Sequence, residues 1–513
     1  MAPMVLALMH KTLFMGDFKM KAHYKYFIRG TILTVLVVVC LATWTKILIP
    51  KYYYNTTWAT TATYQGFYEM EKGTVDVLFL GSSHAAAAFN VQQLYNEYGI
   101  TGYNLGCEQQ NLLVSYYWLK EALRFQSPKA VVVDLLALFE WWKEEPLNST
   151  ESCTRKAMDY MKWSPVKIEA VKDICSIDKN QFALSYYLPN IRFHTRWGEL
   201  SEDDFASDLS SHYELKGFCP LAGKSGYTEY RPFEERDSDN IVEPVGVMEN
   251  YLNRMIGLCE EKGIKLILVK TPTVGVSVEK YNMIKKIADE HNIVYYDFNE
   301  SQLYNKIDFD FTVDMHDATH GSISGSIKIM DFIGDVLMNT CSIKGKYDAQ
   351  WEQTKSFYES VLNEYNMVHT TDIYDYLKMI NDKRYSLFIS AKDEASVSLN
   401  EEIISLMKKL GLNFELAGQY RASYLAVITE EDVYEDIGKE RLEYYGTVRD
   451  GIVRFELASA GAESGDVSSI KIAGEECSKN QRGLNIVVYD NLLKRKVDSV
   501  AFDTFAPELT ALR

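Results

Sequence analysis

The chain is short of the residues that mark several large protein classes. Its 513 residues hold eight cysteines, with no Cys-x-x-Cys pair and no metal-ligand spacing. A zinc centre is therefore not expected. No glycine-rich phosphate loop is present, so neither a nucleotide nor a flavin cofactor is expected. Basic residues are in deficit: 54 Lys and Arg stand against 71 Asp and Glu, for a net charge of −17. That balance excludes nucleic acid as the expected partner. It also disfavours a densely anionic substrate unless the charge is locally reversed.

What is present argues for packed cores. Hydrophobic residues make up 47% and aromatics 13%, which is too apolar for a disordered chain. The length exceeds one ordinary domain, so two folded units are expected.

One stretch is not globular. Residues 27–49 are almost wholly apolar and long enough to cross a bilayer as a helix. Arg29 and Lys46 stand near its ends, and Trp44 and Tyr52-Tyr53-Tyr54 suit the far interface. The preceding flank carries Lys11, Lys19, Lys21, Lys25 and Arg29 against one acid, Asp17. The positive-inside rule then keeps residues 1–26 in the cytoplasm and exports the rest. No small-x-small site follows closely, so a retained single-pass anchor is expected over a cleaved signal. Met20-Lys21-Ala22-His23 reads as a more usual start than Met1. The exported part holds Cys107, Cys153, Cys175, Cys219, Cys259, Cys341 and Cys477. Their odd number and scatter permit disulfides without demanding them.

Residues 50–74 read as a polar, aromatic stalk. From Val75 the pattern alternates between β-branched runs and amphipathic segments. Strands are expected at 75–80, 130–135, 262–269 and 293–297, with a short one ending over 102–106, and helices at 85–98, 112–125, 247–261 and 323–336. Such runs between helices mark a parallel sheet covered on both faces. The expected fold class is thus α/β over 75–340. The pattern fails over 139–243, an insertion read as packing over the site. A connector is expected over 341–371 and a β-rich α+β domain over 372–513. That last domain has a helix at 400–410 and a hairpin turning at 491–494.

In α/β sheets of this kind, ligands bind at the carboxyl ends of strands. Gly81-Ser82-Ser83-His84 lies at one such end, and Asp317-Ala318-Thr319-His320 stands over two hundred residues later with Gly325 beyond it. Together they supply a serine, a base and an orienting carboxylate. Asp314 and His316 are nearby rivals for the last two roles.

The pair resembles the SGNH/GDSL hydrolase superfamily, with Ser82 in place of the usual aspartate. The resemblance is to its membrane-anchored bacterial surface branch, distantly like the D-alanyl-lipoteichoic-acid protein. It implies a flavodoxin-like three-layer fold, with Ser83 as nucleophile, His320 as base and Asp317 as its partner. It also implies an oxyanion hole built from the amides of Ser83 and Gly106. The family's Gly-x-Asn-Asp block is missing, since the third strand ends Asp134-Leu135-Leu136-Ala137; Asn111 or Gln110 are the substitutes considered. His84, Asn111, His194 and Arg196 are candidates for lining the substrate cleft, and packing is the competing role for His84 and His194.

The segments Lys392-Asp393-Glu394-Ala395, Arg482-Gly483-Leu484-Asn485 and Phe502-Asp503-Thr504 resemble the interleukin-like EMT inducer domain, a compact β-rich binding module. The expectation is then an extracytoplasmic, membrane-anchored serine esterase or acyltransferase with no cofactor. Its substrates are O-acyl groups of cell-envelope glycans, with a membrane acyl-donor protein as a partner if it is a transferase. The alternative is an inactive SGNH scaffold that binds polysaccharide through its C-terminal domain.

Overall fold

The computed structural model describes residues 22–52, 58–140, 151–200, 204–205, 214–235, 238–448 and 453–513. The basic residues Lys11, Lys19 and Lys21, with Asp17, Tyr53-Tyr54 and Trp141-Trp142, lie outside the described residues.

Two compact units are present. The smaller joins the helix Ala22–Leu48 to residues 182–200 and 204–205. Within that helix Tyr24–Leu48 is long and apolar enough to cross a membrane. In the larger unit, five strands form a parallel sheet: β1 (Val77–Leu80), β2 (Gly102–Asn104), β3 (Ala130–Asp134), β4 (Lys265–Lys270) and β5 (Val294–Asp297). Their order is β2-β1-β3-β4-β5, with every neighbouring pair parallel. The chain leaves β1 toward one side for β2 and returns to the other for β3. The crevice outside the end of β1 is therefore a topological switch point.

Strand alternation sends Val77, Phe79, Ile267 and Val269 into one core with Ile329, Met330 and Ile333 of the helix Ile323–Asn339. The single helix expected over 85–98 is two, Ser83–Ala88 and Val91–Tyr98. Asn90 causes the break, because its side chain accepts from Gln93 N–H as an N-cap. The stretch read as a stalk contains the helix Thr60–Glu69, most of it buried. Tyr64 stacks on Trp118 at 4.3 Å, and Phe67 meets Tyr103 edge-on. Aromatic content there reflected packing partners that sequence spacing does not show.

The region read as one insertion is split. The helices Glu151–Tyr160 and Pro165–Ile177 belong to the larger unit, whereas residues 182–200 belong to the smaller.

The C-terminal part is a ten-stranded, mostly antiparallel sheet. Its strands are β6 (Tyr385–Asp393), β7 (Ser423–Ile428), β8 (Val433–Gly438), β9 (Leu442–Val448), β10 (Val453–Gly461), β11 (Val467–Ile472), β12 (Glu475–Glu476), β13 (Gly483–Asp490), β14 (Arg495–Phe502) and β15 (Ala511–Leu512). The expected hairpin is the β13–β14 pair. The fold is thus α/β with a β-rich C-terminal region and one apolar N-terminal helix.

Candidate active site

The turn after β1 cannot carry a side chain at its first residue. Gly81 has φ +149°, and a Cβ there would stand 2.8 Å from Ala85 Cβ and 3.0 Å from Asp134 Cβ. That conformation belongs almost wholly to glycine. Ser82 then caps the helix Ser83–Ala88, its hydroxyl accepting from His84 N–H at 3.3 Å. Ser83 takes the first helical position, where an amide has no intrahelical partner.

The histidine comes from the loop before the helix Ile323–Asn339. Met315 and Gly321 form an antiparallel bridge, and His316 N–H donates to His320 O at 2.8 Å, which closes the loop. Inside it Asp317 Oδ1 accepts from Thr319 N–H at 2.7 Å and from His320 N–H at 2.8 Å. The same carboxylate stands 2.9 Å from His320 Nδ1 through Oδ2. With an acceptor there, Nδ1 carries the ring proton and Nε2 offers its lone pair. Ser83 Oγ lies 2.9 Å from that Nε2. Burial alone would raise the Asp317 carboxyl. Hydrogen bonds from His320 and Thr319 outweigh it and hold the group well below the usual carboxylate range. Gly325 allows the close approach of this loop, since a Cβ there would meet Asp314 O at 2.1 Å.

Two further rings flank His320. The centroids of Trp58 and His84 each lie 5.1 Å from it. His84 is buried and its Nδ1 has no hydrogen-bond partner among the described residues. Burial, then Lys270 and His320, hold its imidazole well below the ordinary value, so the ring is neutral. Lys270, at the end of β4, is likewise buried with an unpartnered Nζ. Burial lowers its ammonium despite Asp134 and Asp297 nearby. Asp134, beside Gly81, accepts from Thr271 N–H at 3.0 Å and Oγ1 at 2.9 Å. Val274 N–H donates to Ala318 O at 3.0 Å and joins the end of β4 to the histidine loop.

The other residues singled out from sequence have different settings. Gly106 N–H, expected to face an oxyanion, donates to Asn104 Oδ1 at 2.9 Å. The Asn104 amide in turn donates to Ala85 O and Phe89 O. A side chain at the end of β2 thus competes for that amide. Asn111 is buried as the N-cap of the helix Leu112–Ala122 and donates to Thr154 Oγ1 at 3.1 Å. Gln110 donates to Leu105 O and Ser115 Oγ and accepts from Tyr64. Both amides are occupied in holding the loop after β2. His194 and Arg196 belong to the smaller unit. His194 Nδ1 lies 3.0 Å from Ile191 O, and Arg196 binds Asp204 with both oxygens within 2.9 Å. Asp314 is buried and accepts from Asp310 N–H and Lys328, and His316 Nδ1 accepts from Gly223 N–H at 2.7 Å.

Sequence reasoning missed Trp58 and Thr319; it set Lys270 at the carboxyl end of the fourth strand, where sites of this kind lie, but gave it no role. Trp58 sat in a supposed stalk. Thr319 was a variable position of Asp-x-x-His.

No family model matches the chain, and no curated protein matches it. Three solved structures are similar to part of it. A Bacteroides fragilis protein described as an acylhydrolase is 14% identical, with a TM-score of 0.26, over 54% of this chain and 94% of its own. A GDSL-like lipase of Bacteroides thetaiotaomicron is 11% identical, with a TM-score of 0.25, over 54% and 98%. A GDSL-like lipase of Parabacteroides merdae is 12% identical, with a TM-score of 0.22, over 56% and 98%. Likenesses this distant carry no functional weight; the chemistry is read from Ser83, His320 and Asp317 themselves.

Proposed function

We propose that this protein is a membrane-anchored serine enzyme that transfers acyl groups through an ester on Ser83. The observation that carries the reading is the chain Ser83 Oγ, His320 Nε2, His320 Nδ1, Asp317 Oδ2, with 2.9 Å at each hydrogen bond. A serine hydroxyl is a weak nucleophile alone and needs a base within this reach. In the forward step Ser83 Oγ bonds to the acyl carbon and its proton passes to His320 Nε2. The tetrahedral oxyanion collapses, the alkoxide leaves, and it takes that proton. A second hydroxyl then gives its proton to His320 and attacks the acyl-enzyme, which restores Ser83. Water as that acceptor makes the protein an esterase, and a sugar hydroxyl makes it a transferase. Asp317 holds the tautomer and stabilises the imidazolium.

The apolar helix favours an anchor with the reacting unit outside the cell. O-acylated envelope glycans are the substrate class this topology would meet, and a membrane acyl-donor protein is the partner a transferase would need. Incubating detergent-solubilised full chain with O-acetylated cell-wall glycan tests this. Acetate release, or acetate moved to an added oligosaccharide, is expected from wild type and not from Ser83→Ala. Neither product from folded wild type would count against the reading.

A second role has support in the C-terminal sheet. Tyr445 on β9 is 80% exposed. It stands in register with Glu456 of β10, which pairs with Lys471 of β11. These residues line an open groove of about 610 Å³ with Arg441 and Arg454. An aromatic face beside charged groups suits sugar stacking with hydrogen-bonded hydroxyls. Loss of polysaccharide retention in Tyr445→Ala, with Ser83 chemistry intact, is the expected result.

A further inference from the structure

The smaller unit has no part in the chemistry above, yet it is internally well built. Its residues 182–200 are tied to the last two turns of the helix Ala22–Leu48. Asn190 donates to Leu41 O at 3.2 Å and to Thr45 Oγ1 at 2.8 Å. Trp197 meets Trp44 edge-on, with ring centroids 4.5 Å apart. Arg196 donates to Leu48 O at 2.9 Å and so caps the carbonyl end of the helix. It also joins Asp204, which Lys51 approaches at 3.6 Å.

Burial pushes the Lys51 ammonium down to about 8, and Asp204 opposes that fall. The charged groups thus gather at the helix end. The apolar side chains do the opposite. Phe182, Leu184, Leu188, Ile191, Trp197 and Phe205 are each between 37 and 61% exposed. Such a cluster on a folded segment marks a surface that something apolar covers.

We infer that residues 182–200, joined by Phe205, form a second membrane contact that lies in the outer interface of the bilayer beside the anchor. This rests on reading the apolar helix as a membrane span. Depth is the deciding argument. Leu41 precedes the last helical residue by seven positions, about 10 Å along the axis. Asn190 bonds at that level, so the segment accompanies the span to the depth at which interfacial helices seat their apolar face. Paired tryptophans at the rim suit the same layer. A phospholipid surface fits continuity with the span, which a soluble partner would not need.

The test uses wild-type full chain reconstituted in phosphatidylcholine vesicles doped with a phosphatidylcholine that carries a photoreactive diazirine on its acyl chain. Labelled peptides are then mapped by mass spectrometry. Peptides from Tyr24–Leu48 and from residues 182–205 should both be labelled, several-fold above the peptide with exposed Tyr445. Labelling of the helix with residues 182–205 at the Tyr445 level would overturn the inference and hand the apolar face to a protein partner. Labelling of neither would overturn it together with the membrane reading itself.

Discussion

Both sheets of the larger unit bury serine hydroxyls, and they use them differently. In the C-terminal sheet Ser390 bonds to Ser468, and Ser468 to Ser478 at 2.7 Å. Ser459 donates to Ala391 O at 2.6 Å and accepts from Tyr424 N–H at 3.0 Å. These hydroxyls tie strands together, and the partners named are hydroxyls, a backbone amide and a carbonyl. Ser83 is also buried, though less completely, and sits on a turn outside the parallel sheet, opposite an imidazole that a carboxylate holds. Burial and hydrogen bonding are common to both regions. The difference is whether the partner can take the proton.

That comparison can be broken most forcefully at the nucleophile. Ser83→Ala should lower acyl transfer by about 10⁶-fold in kcat with stability almost unchanged, while Ser390→Ala should leave kcat intact. Asp317→Asn should cost on the order of 10⁴-fold, because the amide favours the wrong imidazole tautomer. A chemical-shift assignment of His320 should show the proton moved off Nδ1. Gly81→Ala attacks the turn instead. Backbone strain of about 1–3 kcal/mol adds to the Ala85 and Asp134 clashes, so the urea midpoint should fall along with activity. In the other sheet, Ser459→Ala should cost about 1–3 kcal/mol by stranding Tyr424 N–H, with kcat unaffected.

The smallest effect concerns pH. The imidazole of His84 is held below the unfolded-state value of about 6.5, so the unfolded chain binds more protons between the two. Stability from this group is therefore present above pH 6.5 and lost as pH falls through that window. His84→Asn should flatten the fall of the urea midpoint between pH 7.5 and 5.5. An unchanged slope would show that His84 is not the responsible group.

Much of this was legible in the sequence. The strands of the parallel sheet read out because continuous β-branched runs need a two-faced burial. That Ser83, His320 and Asp317 come within hydrogen-bond distance was legible because their motifs fall on strand and helix ends. The competitors for hydrogen bonds were not. Nothing in Gly106 itself says that Asn104 claims its amide; Asn111 stands where an N-cap to the 112–125 helix is expected, but nothing in it says that its amide bonds Thr154. His194 and Arg196 were assigned to a cleft because His194-Thr195-Arg196-Trp197 resembles a segment of the surface SGNH branch. The structure instead ties Arg196 to the end of the apolar helix and to Asp204. Trp58 was hidden because a ring that packs on His320 looks, in sequence, like any aromatic beside a membrane.

Labelling folded full chain with a fluorophosphonate and mapping the modified residue bears most directly on the central claim. Modification at Ser83, absent in Ser83→Ala and never found at Ser390 or Ser459, is the predicted result. A folded protein that takes no label, or takes it on another serine, would contradict the assignment of Ser83 as an activated nucleophile.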